Sequence, residues 1–322
     1  MIGLVYGTRP EYIKVKPLVD ELREKGKKCV VIQVAQHSSL LDGCEYDVLI
    51  PVEASTGNRL NDIMLSVLSH KLPSGLEKVV VQGDTTTGVA MAMNAFHNNI
   101  DVVHMEAGLR TNDKQNPFPE EVNRRMISAL AKTHLCAREI DEDNLYREGF
   151  AKDDIHVTGN TVIDNLVGIQ PSPGRTVLIT LHRRENHEHI AEWFKKIEEL
   201  ANVYPEYDFV FPMHPNPNVQ KHKGIFNTVK VIDPIPFAEM KERVAACAAV
   251  ITDSGGLQEE CSFFQKRCFV CREVTERPCG SSMLCPTPKD LYRQFSVHHT
   301  TPVNEVCDFG NGDSAKIISE IL

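Results

Sequence analysis

Thr252-Asp-Ser-Gly-Gly-Leu-Gln-Glu-Glu260 is the stretch that decides the fold. Ahead of it run Ala245-Ala-Cys-Ala-Ala-Val-Ile251, apolar and ending as a buried strand. Behind it, Gln258-Glu-Glu260 are good helix formers. The order is therefore strand, glycine turn, helix start, one βα unit of an α/β protein. A helix N-terminus offers unpaired N–H groups and positive dipole potential, which suits a phosphate or diphosphate. Two glycines let a ligand come close to the backbone, and Ser254 adds a hydroxyl donor. The plainer alternative is a strand-to-helix turn in which Asp253 or Ser254 merely caps the helix.

Outward from this stretch the same alternation recurs. Ile2-Gly-Leu-Val-Tyr6 is a strand, Gly7-Thr-Arg-Pro-Glu11 a turn, and Ile13, Val15, Leu18, Val19 and Leu22 a helical stripe. Arg9 and Lys14 lie near that helix's start, where cations oppose the dipole. An anionic ligand would explain them; a solvated basic turn is the alternative. Cys29–Val34 is a strand and Asn61–Leu72 a helix. Lys78-Val-Val-Val-Gln82 is a buried strand ending at Gly83-Asp84, and Val102–Met105 a strand ending at Glu106. Asp84 and Glu106 thus close two strands at the sheet edge where open α/β sheets bind ligands. Asn116-Pro-Phe-Pro-Glu-Glu121 opens a helix, whose N-terminus Glu120 and Glu121 also complement electrostatically.

The second half repeats the pattern. Thr176–Leu181 is a strand ending at His182-Arg183, Tyr207–Phe211 a strand followed by His214, and Cys268–Arg272 a strand after the glycine turn. The expected fold class is α/β, two Rossmann-like domains, each a doubly wound parallel sheet, facing a cleft. The domain boundary is placed between Thr158 and Gly159, and the tail from Asp313 is an amphipathic helix.

Composition bounds the partners. The chain has 322 residues, 42% hydrophobic and 25% charged, as in a globular protein with two cores. Its net charge of −9 and pI near 5.8 argue against general nucleic-acid binding. The chain enters a strand at Met1, without the pattern of a signal peptide, and has no apolar run of membrane-spanning length. Ten cysteines suit a reducing, cytoplasmic setting. Cys268 and Cys271 have zinc-like spacing, but residues three apart in a strand point to opposite faces, so no metal site is expected.

Departing diphosphate needs cations and N–H groups aimed at developing charge. A carbon-bound proton needs a base on one face and an acid on the other. Asp84, Glu106 and Glu120 in the first half, with His182, Arg183, Ser254, Gly255 and Gly256 in the second, supply those groups.

Gly7-Thr-Arg-Pro-Glu-Tyr-Ile-Lys14, Gln82-Gly-Asp-Thr-Thr-Thr87, His104-Met-Glu-Ala-Gly-Leu-Arg-Thr111, Pro117-Phe-Pro-Glu-Glu-Val-Asn-Arg124, Thr158-Gly-Asn-Thr-Val-Ile-Asp164, His182-Arg-Arg-Glu-Asn186, Thr252–Glu260 and Thr275-Glu-Arg-Pro278 together resemble the non-hydrolysing UDP-N-acetylglucosamine 2-epimerases. The motifs stand in family order over nearly the whole chain. The resemblance implies reversible conversion of UDP-GlcNAc to UDP-ManNAc without metal or other cofactor, through 2-acetamidoglucal and re-addition of UDP. It implies a GT-B-like fold and a homodimer, with a C-terminal helix crossing back onto the first domain, so that the domains are 1–158 plus 309–322 and 159–308. By motif, Asp84, Glu106 and Glu120 are acid/base candidates and His182 acts at the diphosphate. Arg9 and Lys14 meet the anionic substrate, Ser254, Gly255 and Gly256 hold the diphosphate, Glu260 fits the ribose, and Arg277 lies at the active site.

This chain departs from the pattern in places. The segment Leu166–Arg175 is short, and Cys279-Gly-Ser-Ser282 replaces an acidic residue with a Gly-Thr turn. Gln36, Arg183 and His214 match an activating second UDP-GlcNAc site, but Ser39 and Gly57 replace its usual glutamine and arginine. Substrate activation is therefore expected to be weak or absent, which hyperbolic kinetics in UDP-GlcNAc would bear out. Other readings are a 2-epimerase of a modified UDP-sugar such as a diacetamido-uronate, a hydrolysing epimerase, a GT-B glycosyltransferase and a non-catalytic UDP-sugar-binding module.

Overall fold

The computed structural model describes residues 1–35, 41 and 43–322. These fall into two compact units, Met1–Asn165 with Gly310–Leu322, and Leu166–Phe309.

The first unit runs β1 (Ile2–Tyr6), α1 (Arg9–Glu24), β2 (Cys29–Ala35), β3 (Val48–Pro51), α2 (Arg59–Leu68), β4 (Lys78–Gln82), α3 (Thr86–His97), β5 (Asp101–Ala107), α4 (Glu120–Leu130), β6 (Thr133–Cys136), α5 (Glu139–Arg147) and β7 (Ile155–Val157). The second runs β8 (Thr176–Thr180), α6 (Ile190–Val203), β9 (Asp208–Pro212), α7 (Pro217–Gln220), β10 (Lys230–Ile232), α8 (Phe237–Ala245), β11 (Ala249–Thr252), α9 (Gly255–Phe263), β12 (Arg267–Val270), β13 (Ser282–Leu284) and α10 (Pro288–His298). A last helix, α11 (Ser314–Ile321), belongs to the first unit. No described helix is long and apolar enough to cross a membrane.

Among the described residues the first sheet is seven-stranded, in the order β3-β2-β1-β4-β5-β6-β7. Its pairings are parallel. Strand side chains alternate, so each face fills its own core. Val5, Val79 and Val81 point to one face and meet Ile63, Val67 and Val89 of α2 and α3. Leu4, Tyr6 and Val80 point to the other and meet Val15, Leu18 and Leu22 of α1 and Ile318 of α11. Each such burial stabilises by about 1.5–3 kcal/mol. The second sheet has the order β10-β9-β8-β11-β12-β13, again parallel. Ile179, Phe211, Ile251 and Phe269 pack on Phe194 of α6 and Phe295 of α10. Cys271 and Cys285 lie in that same core.

Each sheet therefore reverses its winding once, between β1 and β4 in the first unit and between β8 and β11 in the second. These are the switch points, where diverging loops open a crevice beyond the strand ends. α1 is anchored beside the first. Thr8 caps it and Pro10 stands in its first turn. Pro17 lies inside the helix and has no N–H for the Ile13 carbonyl. Asn165 Nδ2 donates to that carbonyl instead, at 3.0 Å.

β3, α5, α7, β13 and α10 have no counterpart in the sequence reading. β3 and β13 are edge strands with mostly exposed or half-exposed residues, so their hydrophobic pattern is weak. The helix expected over 61–72 is Arg59–Leu68, because Asn58 caps it by accepting from Leu60 and Asn61 N–H. Residues 159–165 bond to the first unit: Asn160 to Glu106, Thr161 to the Lys14 carbonyl and Asp164 to Ala315 N–H.

Candidate active site

At the first unit's switch point β4 ends in Gly83, whose φ of +68° only glycine adopts readily. Asp84 follows. Its Oδ2 accepts from Arg124 Nε at 2.9 Å and Nη2 at 2.7 Å, and its carbonyl accepts from Asn123 Nδ2 at 2.8 Å. Glu120, Asn123 and Arg124 are spaced i, i+3, i+4 on α4 and so share a face. A pocket of about 170 Å³ is lined by Thr8, Arg59, Asp84, Thr85, Glu120 and Asn123. Four helix N-termini meet its wall: Thr8 caps α1, α2 begins at Arg59, Thr85 caps α3 and α4 begins at Glu120. Helix N-termini carry positive dipole potential.

Glu120 and Glu121 divide the roles that sequence left open. Glu121 is fully buried and accepts from Thr111 and Asn112 N–H, Arg124 and Arg125. It is a structural hub, whereas Glu120 lines the pocket.

Glu106 sits at an irregularity between Met105 and Ala107 in the β5–β6 pairing, with φ of +64°. Left-handed backbone costs a non-glycine residue about 1–2 kcal/mol. The carboxylate is buried and held by three donors: Lys14 Nζ at 2.5 Å, Asn160 Nδ2 at 2.9 Å and Gln82 Nε2. Glu106 also approaches Gly83, where a Cβ would lie 3.3 Å from its Oε2. His104 completes the ring of contacts, with Nε2 2.7 Å from the Gly83 carbonyl. Burial lowers its pKa from 6.5 to about 3, so the ring is neutral and Nε2–H donates.

In the second unit Asp253 ends β11 and is fully buried. It accepts from His182 N–H at 3.0 Å, Arg183 N–H at 2.8 Å and Asn186 Nδ2 at 3.1 Å. Asp253 therefore ties the two diverging loops together and is not the cap of α9. Ser254 holds the cap position, but its side chain makes no capping bond. Gly255 is close-packed, since a Cβ there would meet Arg277 Nη1 at 2.7 Å. A Cβ on Gly256 would meet nothing within 4 Å. His182 stacks on His214 at 5.1 Å between ring centroids. His214 Nδ1 accepts from Asn216 N–H at 3.1 Å, and burial lowers its pKa, ahead of repulsion from His182.

The structure gathers Asp84 with Glu120 in one pocket and places Glu106 beside Gly83. It gathers His182, Arg183 and His214 around Asp253. Lys14 is buried and its countercharge is Glu106, so a cation that looked misplaced near a helix start has a partner inside the protein. Arg9 is exposed, with Nη1 3.5 Å from Cys44 Sγ. Arg277 is buried beneath the glycine turn and pairs with Glu259 at 2.7 Å and with Glu276. Glu260 is buried in α9. Gln36 and Ser39 lie outside the described residues. Cys279 Sγ lies 3.0 Å from Ser282 Oγ, so the divergent Cys279–Ser282 turn bonds to itself.

Sequence reasoning gave no role to Arg124, Gln82 or Asn160, and offered Asp253 only as a helix cap. Arg124 was legible as the i+4 partner of Glu120. Asn160 and Gln82 reach Glu106 only through tertiary contact, which no local spacing announces.

Two doubly wound parallel sheets, with carboxylates at one switch point and an open helix N-terminus at the other, define a GT-B-like class of two Rossmann-like domains. A family profile described as UDP-N-acetylglucosamine 2-epimerase matches residues 52–322. The UDP-N-acetylglucosamine 2-epimerase of Bacillus subtilis is 35% identical, over 99% of this chain and 94% of its own. That of Neisseria meningitidis is 36% identical, over 99% and 98%. The crystal structure of the UDP-GlcNAc 2-epimerase from Neisseria meningitidis bound to UDP-GlcNAc superposes with a TM-score of 0.89 at 32% identity, covering 99% of this chain and 98% of that one. The chain belongs to the UDP-N-acetylglucosamine 2-epimerase family.

Proposed function

We propose that this chain interconverts UDP-N-acetylglucosamine and UDP-N-acetylmannosamine. A carboxylate takes the C2 proton as the C1–O bond breaks, its electron pair leaving with UDP. C1 and C2 become the double bond of 2-acetamidoglucal. UDP oxygen then re-adds to C1 and a carboxylic acid returns a proton to the opposite face of C2. Asp84, Glu106 and Glu120 serve as base and acid, and Lys14 and Arg9 supply positive charge. In the second unit Ser254, Gly255 and Gly256 hold the diphosphate, with Glu260 at the ribose, His182 at the leaving oxygen and Arg277 supporting the turn. The first unit thus moves protons and the second holds UDP. Arg183 and His214, beside His182, are left to a second nucleotide-sugar contact, with activation weakened.

One observation carries this reading: Glu106 is a buried carboxylate held by three donors on a left-handed residue at a strand end. Strain of that kind at a ligand-binding edge is a mark of a functional position. Family membership supports the substrate, because relatives of that name span this whole chain. A homodimer in the cytoplasm fits the family resemblance and the ten free thiols, all among the described residues; light scattering tests the dimer.

The test is incubation with UDP-GlcNAc and no added metal or nicotinamide, followed by product identification. UDP-ManNAc at equilibrium with UDP-GlcNAc is the expected result. Free ManNAc with UDP would replace the reading by a hydrolysing one. Binding without turnover would leave a UDP-sugar-binding module or a modified-sugar epimerase.

A further inference from the structure

Glu11 is buried in the first turn of α1, 3% exposed. Its Oε2 accepts from Gly7 N–H at 3.0 Å and Thr8 Oγ1 at 2.7 Å, and its Oε1 accepts from Thr85 Oγ1 at 2.6 Å. Thr8 with Glu11 forms a capping box on α1. The bond to Thr85 is a different matter, since it reaches a second helix across 74 positions of sequence. Thr85 caps α3 by accepting from Gly88 N–H at 3.0 Å. Each threonine oxygen accepts a backbone N–H, so its single proton is the one given to Glu11. Both carboxylate oxygens therefore act as acceptors.

From this geometry we infer that Glu11 is a positioning residue for the proton-transfer pocket, a brace that sets the N-termini of α1 and α3 at a fixed separation around Asp84. Thr8 and Thr85 both line that pocket with Asp84 and Glu120. Thr85 directly follows Asp84, so pinning it fixes the backbone that carries the carboxylate. α4 holds Asp84 from the other side through Asn123 and Arg124. Removal of Glu11 leaves only the α4 side, and a carboxylate displaced by a fraction of an ångström loses much of its value as a base. A glutamine at position 11 keeps shape and one acceptor but turns an N–H₂ toward a hydroxyl that must donate. Burial raises the pKa of Glu11, and the bonds from Thr85, Thr8 and Gly7 oppose that rise.

This inference rests on the proposed epimerisation. The experiment measures kcat, KM for UDP-GlcNAc, UDP affinity and melting temperature for wild type, Glu11→Gln, Thr85→Val, Thr85→Ser and the Glu11→Gln/Thr85→Val double variant. Glu11→Gln lowers kcat by about 100-fold with KM and UDP affinity within about threefold. Thr85→Val repeats the loss, Thr85→Ser retains the rate, and the double variant falls no further than either single one. Active wild type with an equally active Glu11→Gln overturns the brace alone. So does a Glu11→Gln defect confined to melting temperature, or additive losses in the double variant. Wild type unable to turn over UDP-GlcNAc overturns the underlying reaction, and the brace with it.

Discussion

β1 and β4 diverge into Gly7–Thr8 and Gly83–Asp84; β8 and β11 diverge into Leu181–Arg183 and Asp253–Gly255. The strand order is the same in both units apart from a seventh strand in the first, yet the side chains differ in kind. In the first, two acids are met by cations, Asp84 by Arg124 and Glu106 by Lys14. In the second, the acid Asp253 is taken up by backbone N–H groups, and the helix that follows starts without a side-chain cap. One switch point holds carboxylates against cations, and the other starts a helix without a side-chain cap, where the proposed function puts the diphosphate. A shared fold thus supplies the place for a ligand, and the loop residues decide what is done there.

The comparison breaks first if the carboxylates are dispensable. Asp84→Asn and Glu106→Gln each lower kcat by about 10²–10⁴-fold while UDP affinity stays within about threefold. Steady-state rates and calorimetry with UDP check both halves, and an equal loss of UDP affinity would erase the division between the units.

Lys14→Met attacks the same end through stability. It takes the cation away from the buried Glu106 carboxylate, at a cost of about 3–5 kcal/mol. Urea unfolding measures it. A neutral result would show that the carboxylate is held without Lys14.

At the other end, Ser254→Ala and Gly256→Ala each weaken UDP binding by about tenfold, or about 1.4 kcal/mol. The Gly256 site has open space for a methyl group, so the melting temperature stays put while affinity falls. Unchanged affinity in both variants would remove the diphosphate from this turn.

The smallest effect at neutral pH concerns His104. Its folded pKa is lowered from 6.5 to about 3 by burial, so above pH 6.5 neither state is charged and the group contributes nothing. Below 6.5 the unfolded chain takes up a proton that the folded one refuses, and stability falls until about pH 3. His134, lowered to about 4, adds to the same slope. His104→Gln flattens it, seen as a weaker pH dependence of the urea midpoint between pH 6.5 and 4.

How much of this was legible in the sequence follows from where information resides. Strands such as Lys78–Gln82 carry an unbroken apolar run, Val79–Val81, because helices cover both faces, and they stood out. Edge strands β3 and β13 did not, being half-exposed. Asp84, Glu106 and Glu120 were readable because each stands at a strand's end or opens a helix. Their holders were less so. Lys14 meets Glu106 across 92 positions, and Glu11 meets Thr85 across 74. Such pairs are fixed by packing of helices on a sheet, and no local period encodes them.

Proton NMR of the protein with UDP-GlcNAc in D₂O shows whether the C2 proton is exchanged during turnover, as transfer through the first unit's carboxylates requires. The expected result is deuterium at C2 of UDP-ManNAc, and at C2 of recovered UDP-GlcNAc as the reaction reverses. Conversion to UDP-ManNAc with the original hydrogen fully retained at C2 would contradict it.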